Sequence, residues 1–451
     1  MSSTMTISRA SITRQAWPII LANSTVPLLG LADVAVLGNL GSVGDLGAVA
    51  LGALIFSFVY WSFGFLRMGT TGLVAQAAGA GNHAEVRACL GRNLLLAGAL
   101  GLVLIALQWP IRQLALHLLT ASADVEAIAG DYVLARIWAA PATLATFVLM
   151  GLLVGLGASR RLLYLQLFLN VLNVVLDLWF AGVLGLGARG IALGTMIAEW
   201  STLLVGSVML TRLLRQHLGA KEAFWNLAAM LESGAVLKTL AVNRDIMIRT
   251  LLLVFSFAWF IDQSARFGDV QLAANHILLQ LISFSAFFLD GYAFVLEALA
   301  GRAYGAGDRR AFDQAVRRST ELALVTALLL AAVILLLGPA VIALLTNLPE
   351  VREAAVGLRH LAALYVLLSF AAFQLDGIFI GATRTRDMRN AAILSLTAFL
   401  LAWAWIGEGH GVNGLWWAFI LFVCARAAAL LLFYRGLCRA IDLRGRRGQE
   451  R

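Results

Sequence analysis

Twelve times along this chain the polar residues thin out for about twenty positions, and between those stretches the arginines return. A helix needs about 20 residues to cross a hydrocarbon core of ~30 Å. The windows fall near 14–39, 46–77, 90–110, 128–157, 162–184, 188–212, 238–265, 270–303, 318–343, 354–382, 389–406 and 412–436. With 61% hydrophobic and only 13% charged residues, a water-soluble core cannot absorb the apolar surface, so the bilayer is the expected solvent. Backbone polar groups in hydrocarbon must be satisfied within the segment. The predicted fold class is therefore all-α integral membrane, with twelve transmembrane helices.

The charges set the orientation. Arg87 and Arg92, Arg160 and Arg161, Arg212, Arg215 and Lys221, Arg302, Arg309 and Arg310, and Arg384, Arg386 and Arg389 follow the even-numbered spans. The loops between are poorer in cations: GSVGD and TASADVEAIAGD have none, and LPEVRE is mixed. This positive-inside bias predicts cytoplasmic N- and C-termini and an inner-membrane, multi-pass protein. It also accounts for the net charge of +9 without a nucleic-acid partner. The N-terminal MSSTMTISRASITRQAWPII has no cleavage site after a short apolar core, so the first span is expected to stay. Cys89, Cys424 and Cys438 fit no metal or redox spacing and are expected as reduced thiols.

The chain also repeats. GLLVGLGASR begins at Gly151 and GIFIGATRTR at Gly377, 226 positions later. The same offset pairs LLT at 118–120 with LLT at 344–346, Gly79 and Gly81 with Gly305 and Gly307, and Ser57-Phe58 with Ser283-Phe284. Near the end the register slips by two, where GARG (187–190) meets GVNG (411–414). Spans one to six (N-lobe, 1–212) and seven to twelve (C-lobe, 238–440) are two parallel six-helix repeats. A linker, 213–237, with a possible surface helix KEAFWNLAAMLES, joins them, and 441–451 is a cytoplasmic tail. Such repeats suit transporters in which two bundles rock around a central cavity.

Buried polar groups mark the candidate site. Asp33 lies two-thirds along the first span, inside PLLGLADVAVLGNLG. Span five carries Asn170, Asn173 and Asp177, the last two one turn apart on one face, and span six carries Thr195 with Glu199 one turn deeper. At 1.5 Å per residue, Asp33, Asp177 and Thr195 reach a similar depth. Two carboxylates, an amide and a hydroxyl at one level can share a proton, because two desolvated like charges repel, or they can hold Na⁺ with hard oxygens. They can also form a hydrogen-bonded knot that fastens span one to spans five and six. Pro27 cannot bond the carbonyl of Asn23, so span one should bend below Asp33, and Pro18 is a second kink candidate.

The second copy differs. Asp290 and Glu297 in span eight, Asp376 in span ten and Arg249 in span seven fit an ion-paired cytoplasmic gate, with Arg67 at like depth in span two of the first copy. Of the six histidines only His276 sits well inside a span, where a packed histidine is expected. No Walker loop, nucleophile elbow or HExxH occurs, which argues against an ATP engine or a hydrolase.

The stretches LADVAVLGNLG, FLRMGTTGLVAQAAGAG, FLNVLNVVLD, NRDIMIRTLLL, LDGYAFVLEALAGRAYGAGD and LDGIFIGATRTRDMRN resemble the multidrug and toxic compound extrusion (MATE) family, and within it the DinF-like branch. The resemblance implies two six-helix lobes in a V and antiport of H⁺ or Na⁺ against amphipathic, often cationic organic substrates. It implies no cofactor beyond the coupling ion, no enzymatic activity, and action as a monomer in contact with membrane lipid. It also implies that Asp33 acts with Asn173, Asp177 and Thr195, and that Pro18 is the kink proline of the first helix. No carboxylate pair stands at matching positions in spans seven and ten, which departs from relatives with a C-lobe cation site. A lipid or lipid-linked precursor flippase shares the two-lobe plan and is the second reading. It should line its cavity with several cations, and only Arg67 and Arg249 offer themselves.

Overall fold

The computed structural model describes residues 7–118, 122–218, 226–407 and 409–449, and no strand occurs among them. Six helices of the first repeat are α1 (Arg9–Asn39), α2 (Val43–Gly79), α3 (His83–Ala106), α4 (Ala123–Gly155), α5 (Ser159–Val183) and α6 (Gly187–Arg215). In the second repeat, α7 is Ser233–Ala265. It is followed by α8 (Asp269–Ala306), α9 (Arg309–Leu345), α10 (Pro349–Gly381), α11 (Thr385–Trp405) and α12 (Gly411–Arg446). All but α7 are apolar enough over their length to cross a membrane. With 33 residues α7 is long enough, but Lys238, Arg244, Asp245, Arg249 and Asp262 dilute its apolar run. The twelve-helix, two-repeat layout is as the sequence predicts.

The repeat extends to packing. In the first copy, Gly151 and Gly155 of α4 press on the backbone of α2, where an added Cβ would collide with the carbonyl oxygens of Arg67 and Thr71. In the second copy, Gly377 and Gly381 of α10 press in the same way on the carbonyls of Ala293 and Glu297 in α8. Small residues four apart let membrane helices touch backbone to backbone. Gly381→Ala should therefore lower stability by about 1–3 kcal/mol, read as thermal unfolding in detergent. Gly98→Ala, which meets open space, is the control and should cost nothing. Equal unfolding of the two variants would remove the close-approach argument. One position of the repeat is strained. Gly157 has φ +65° and its counterpart is Thr383 with φ +50°, a conformation a β-branched residue rarely holds. The Thr383 hydroxyl accepts a hydrogen bond from Gln76 Nε2 at 2.8 Å, which helps fix it there.

The contacts divide the chain into two units. One comprises Met1–Ile20, Ala75–Gly81 and Ala241–Arg451; the other comprises Leu21–Val74 and Asn82–Leu240. The first part of α1 thus belongs with the second repeat, where Ile20 and the carbonyl of Ala16 lie against Gly291 of α8. The last turns of α2 do likewise: Gly79 meets the backbone of Arg302, and Gly305 meets that of Gln76. Within this unit Phe257, Phe260, Phe399, Trp416, Phe419 and Phe422 form a continuous aromatic core.

Several local expectations change. Residues 219–225 of the linker, including Lys221 and the KEAFW stretch, and residues 119–120 of the first LLT lie outside the described residues. Of the expected surface helix KEAFWNLAAMLES, the described part forms one helical turn, Leu227–Met230. It docks on α3 because Gly91 leaves room for Met230, and Arg92 Nη1 donates to the carbonyl of Ala229 at 2.9 Å. His276 is exposed, not packed. Its neighbour Asn275 turns inward instead, accepting from Trp416 Nε1 at 2.9 Å and donating to Ser264 at 3.0 Å.

Candidate functional site

The first helix is interrupted below Asp33. Helix Arg9–Ser24 runs through Pro18, pauses at Thr25, and resumes as Val26–Leu40 with Pro27 in its first turn. A proline lacks an N–H, so the first turn of a helix is the place where it costs least. The Thr25 hydroxyl is tied down on both sides. It donates to the carbonyl of Ala22 at 2.7 Å and accepts from Asn170 Nδ2 of α5 at 2.7 Å. Asp33 follows two turns later and is buried.

Asp177 is fully buried, and the Asp33 carboxylate is its neighbour across the helix contact. Gly194 of α6 makes this possible, since a side chain there would occupy the place of the Asp177 carboxylate. Immediately after Asp177 the helix widens into a π-helical stretch, Leu178–Val183. Such widened turns recur at functional sites because they redirect one side chain without ending the helix. Next to the pair, Asn173 Nδ2 donates to the Thr195 hydroxyl at 3.1 Å, and that hydroxyl donates to the carbonyl of Ile191 at 2.9 Å.

Four oxygens here are left over. Asp33 Oδ1, both carboxylate oxygens of Asp177 and Asn173 Oδ1 are buried and accept from no donor among the described residues. Buried acceptors without donors are costly. Two facing carboxylates need a proton or a cation between them, and this is the chemistry the arrangement can perform.

Glu199 is placed elsewhere. It accepts a hydrogen bond from the Thr143 hydroxyl of α4 rather than joining Thr195. Between the two carboxylate sets stands Arg136, which the sequence reading missed. Its guanidinium donates to the Tyr132 hydroxyl at 2.6 Å and lies 4.8 Å from the Phe56 ring centroid. Asp33, Glu199, Tyr60 and Tyr132 all lie within its electrostatic reach. The signal was available: Arg136 sits in DYVLARIWAAPATLATF, well past the start of an apolar window, and a cation so placed demands a partner.

In the other unit, Arg249 and Asp376 form a buried ion pair, and Arg426 adds a second guanidinium 3.4 Å from the same carboxylate. Asp290 lies within electrostatic reach of Arg249, and Glu297 is buried further along α8. Arg426 was not anticipated from the sequence. Unlike the Asp33 pair, which has Arg136 only within electrostatic reach, this cluster is directly ion-paired.

The MatE family profile matches residues 18–179 and again 246–406, one segment in each repeat. The chain belongs to the MatE family. Among curated relatives of this MatE protein, DNA damage-inducible protein F of Escherichia coli is 38% identical over 96% of this chain and 93% of its own. A probable multidrug resistance protein NorM of Agrobacterium fabrum is 28% identical, covering 90% of each chain. The fold agrees with solved structures. A Vibrio cholerae MATE transporter in a bent form superposes with a TM-score of 0.87 at 21% identity, covering 98% of this chain and 99% of that one. A multidrug resistance MATE family transporter in an outward-facing conformation gives 0.85 at 19% identity, covering 96% of each. The MatE chain described here is accordingly a multi-pass membrane protein and a transporter by family.

Proposed function

We propose that this MatE protein is a secondary active multidrug exporter that admits H⁺ in exchange for amphipathic, often cationic organic compounds by alternating access. The observation that carries the reading is the buried Asp33–Asp177 pair, in which Asp33 Oδ1 and both Asp177 oxygens lack donors among the described residues. With one proton shared, the pair is a hydrogen bond. Without it, two like charges face each other in a place of low dielectric, with Arg136 as the nearest compensation. Proton binding therefore changes the energy of bringing α1 against α5. The break at Thr25 gives α1 a place to bend in response.

Na⁺ is the other ion that the donor set can hold, on oxygens of Asp33, Asn173, Asp177 and Thr195. The close approach of the two carboxyl groups favours the proton, which needs only two oxygens. In proteoliposomes, a pH gradient in Na⁺-free buffer should drive export of a cationic dye, and a Na⁺ gradient at equal pH should not. Export driven by Na⁺ alone would replace the proton in this account, and export with neither gradient would remove antiport.

The arginine-rich ends, including both termini, are assigned to the cytoplasm. In a background without native cysteines, His83→Cys and Ser122→Cys should react with an impermeant thiol reagent from opposite sides of the membrane. Labelling from the same side would overturn the topology.

A further inference from the structure

At the arginine-rich end of the first repeat, a surface cleft of about 480 Å³ opens between the start of α5 and the end of α6. Arg161, Leu204, Val205, Val208, Met209 and Arg212 line it. It shares no residue with the coupling site or with the Arg249–Asp376 cluster. Two properties make it unlike ordinary lipid-facing surface. First, Arg161 Nη1 is buried and has no hydrogen-bond partner among the described residues. A desolvated guanidinium nitrogen without an acceptor is costly, and guanidinium groups pair best with phosphate or carboxylate oxygens. Second, the cleft is graded. Arg212 stands at one end of the α6 wall and Leu204 at the other, about 12 Å away along the helix. Leu204, Val205 and Val208 expose 67%, 42% and 52% of their surfaces, so the apolar wall is open along its length.

The remaining features suit the membrane boundary. Tyr164, one turn beyond Arg161 on α5, is 63% exposed, as expected of an aromatic side chain at headgroup level. The helices are held together at Gly206 of α6, which packs on Leu149 and Leu165, so the groove has a fixed floor. The first turn of α5 has no side-chain cap and presents its positive end on the same side.

We propose that this cleft binds an anionic phospholipid. Its phosphate sits on Arg161 and Arg212, and its acyl chain lies along Leu204, Val205 and Val208. A soluble anion would use the arginines but not the graded apolar wall. A zwitterionic lipid would use the wall and offer a phosphate, but its choline would set a cation beside the two arginines. Basic pockets between membrane helices at the cytoplasmic side are suited to such headgroups.

The test uses the full-length protein purified in neutral detergent, with lipid binding counted by native mass spectrometry. Phosphatidylglycerol should bind with clear preference over phosphatidylcholine of the same chains. Arg161→Gln/Arg212→Gln should weaken phosphatidylglycerol binding by about twentyfold and phosphatidylcholine binding by less, so that the preference is lost. Arg160→Gln/Arg215→Gln removes the same charge from exposed neighbours outside the cleft and should keep the preference. The single variant Arg212→Gln, at an exposed position, serves if the double variant does not fold, and should lose part of the preference. Equal losses from the two double variants would mean diffuse attraction and overturn the site. So would the absence of any headgroup preference. Displacement of the lipid by millimolar glycerol 3-phosphate would assign the arginines to a soluble anion and overturn the lipid.

Discussion

Asp33→Asn is expected to yield a folded, membrane-inserted protein whose proton-driven export falls by roughly ten- to a hundredfold. The amide is close to the carboxylate in size and can donate to Asp177, so the contact between α1 and α5 survives as a permanent hydrogen bond. What disappears is the alternation between a protonated pair and a repelling one, and with it the link between ion entry and the bend at Thr25. Substrate binding and passive exchange should persist, because neither needs the proton. Dye export against a gradient in proteoliposomes measures this. Wild-type export by the variant under an imposed pH gradient would make Asp33 a structural residue, part of a knot rather than a coupling site.

Asp376→Asn should act on stability instead, lowering it by about 3–5 kcal/mol, the usual cost of removing one partner from a buried ion pair. Its carboxylate is ion-paired with both Arg249 and Arg426, so neutralising it leaves two guanidinium groups near each other in the interior. Arg426→Gln should cost less, since Asp376 keeps Arg249. Thermal unfolding in detergent would rank the two variants. Their remaining export should respond to the pH gradient as wild type does. Normal stability of Asp376→Asn combined with loss of ion dependence would move the coupling site into the second repeat.

Much of the fold was legible because it is written locally. The apolar windows give helix number, and the 226-residue offset gives the repeat down to its contacts, Gly151 with α2 and Gly377 with α8. What a linear pattern does not carry is which helix a face meets. The start of α1 and the end of α2 cluster with the second repeat, although Gly79 and Gly305 were visible as matched residues. They read as a repeat mark and not as a crossing. The same limit applies to the site. Asp177 and Asn173 share a face by spacing, and the structure places Asp33 opposite one and Thr195 beside the other. Glu199 follows Thr195 by one turn, so the sequence groups them, yet its partner is Thr143 on α4. Arg136 shares no spacing with the carboxylates, and its place in an apolar window is its one mark in the sequence.

The central claim is that Asp33 and Asp177 hold a proton that substrate displaces. The most direct measurement is proton release on adding a transported dye to purified protein in weakly buffered detergent, followed with a pH indicator. Wild type should release protons on binding. Asp33→Asn and Asp177→Asn should each bind the dye and release none, and wild-type affinity should rise with pH. Binding without release in wild type, or undiminished release in both variants, would contradict the account.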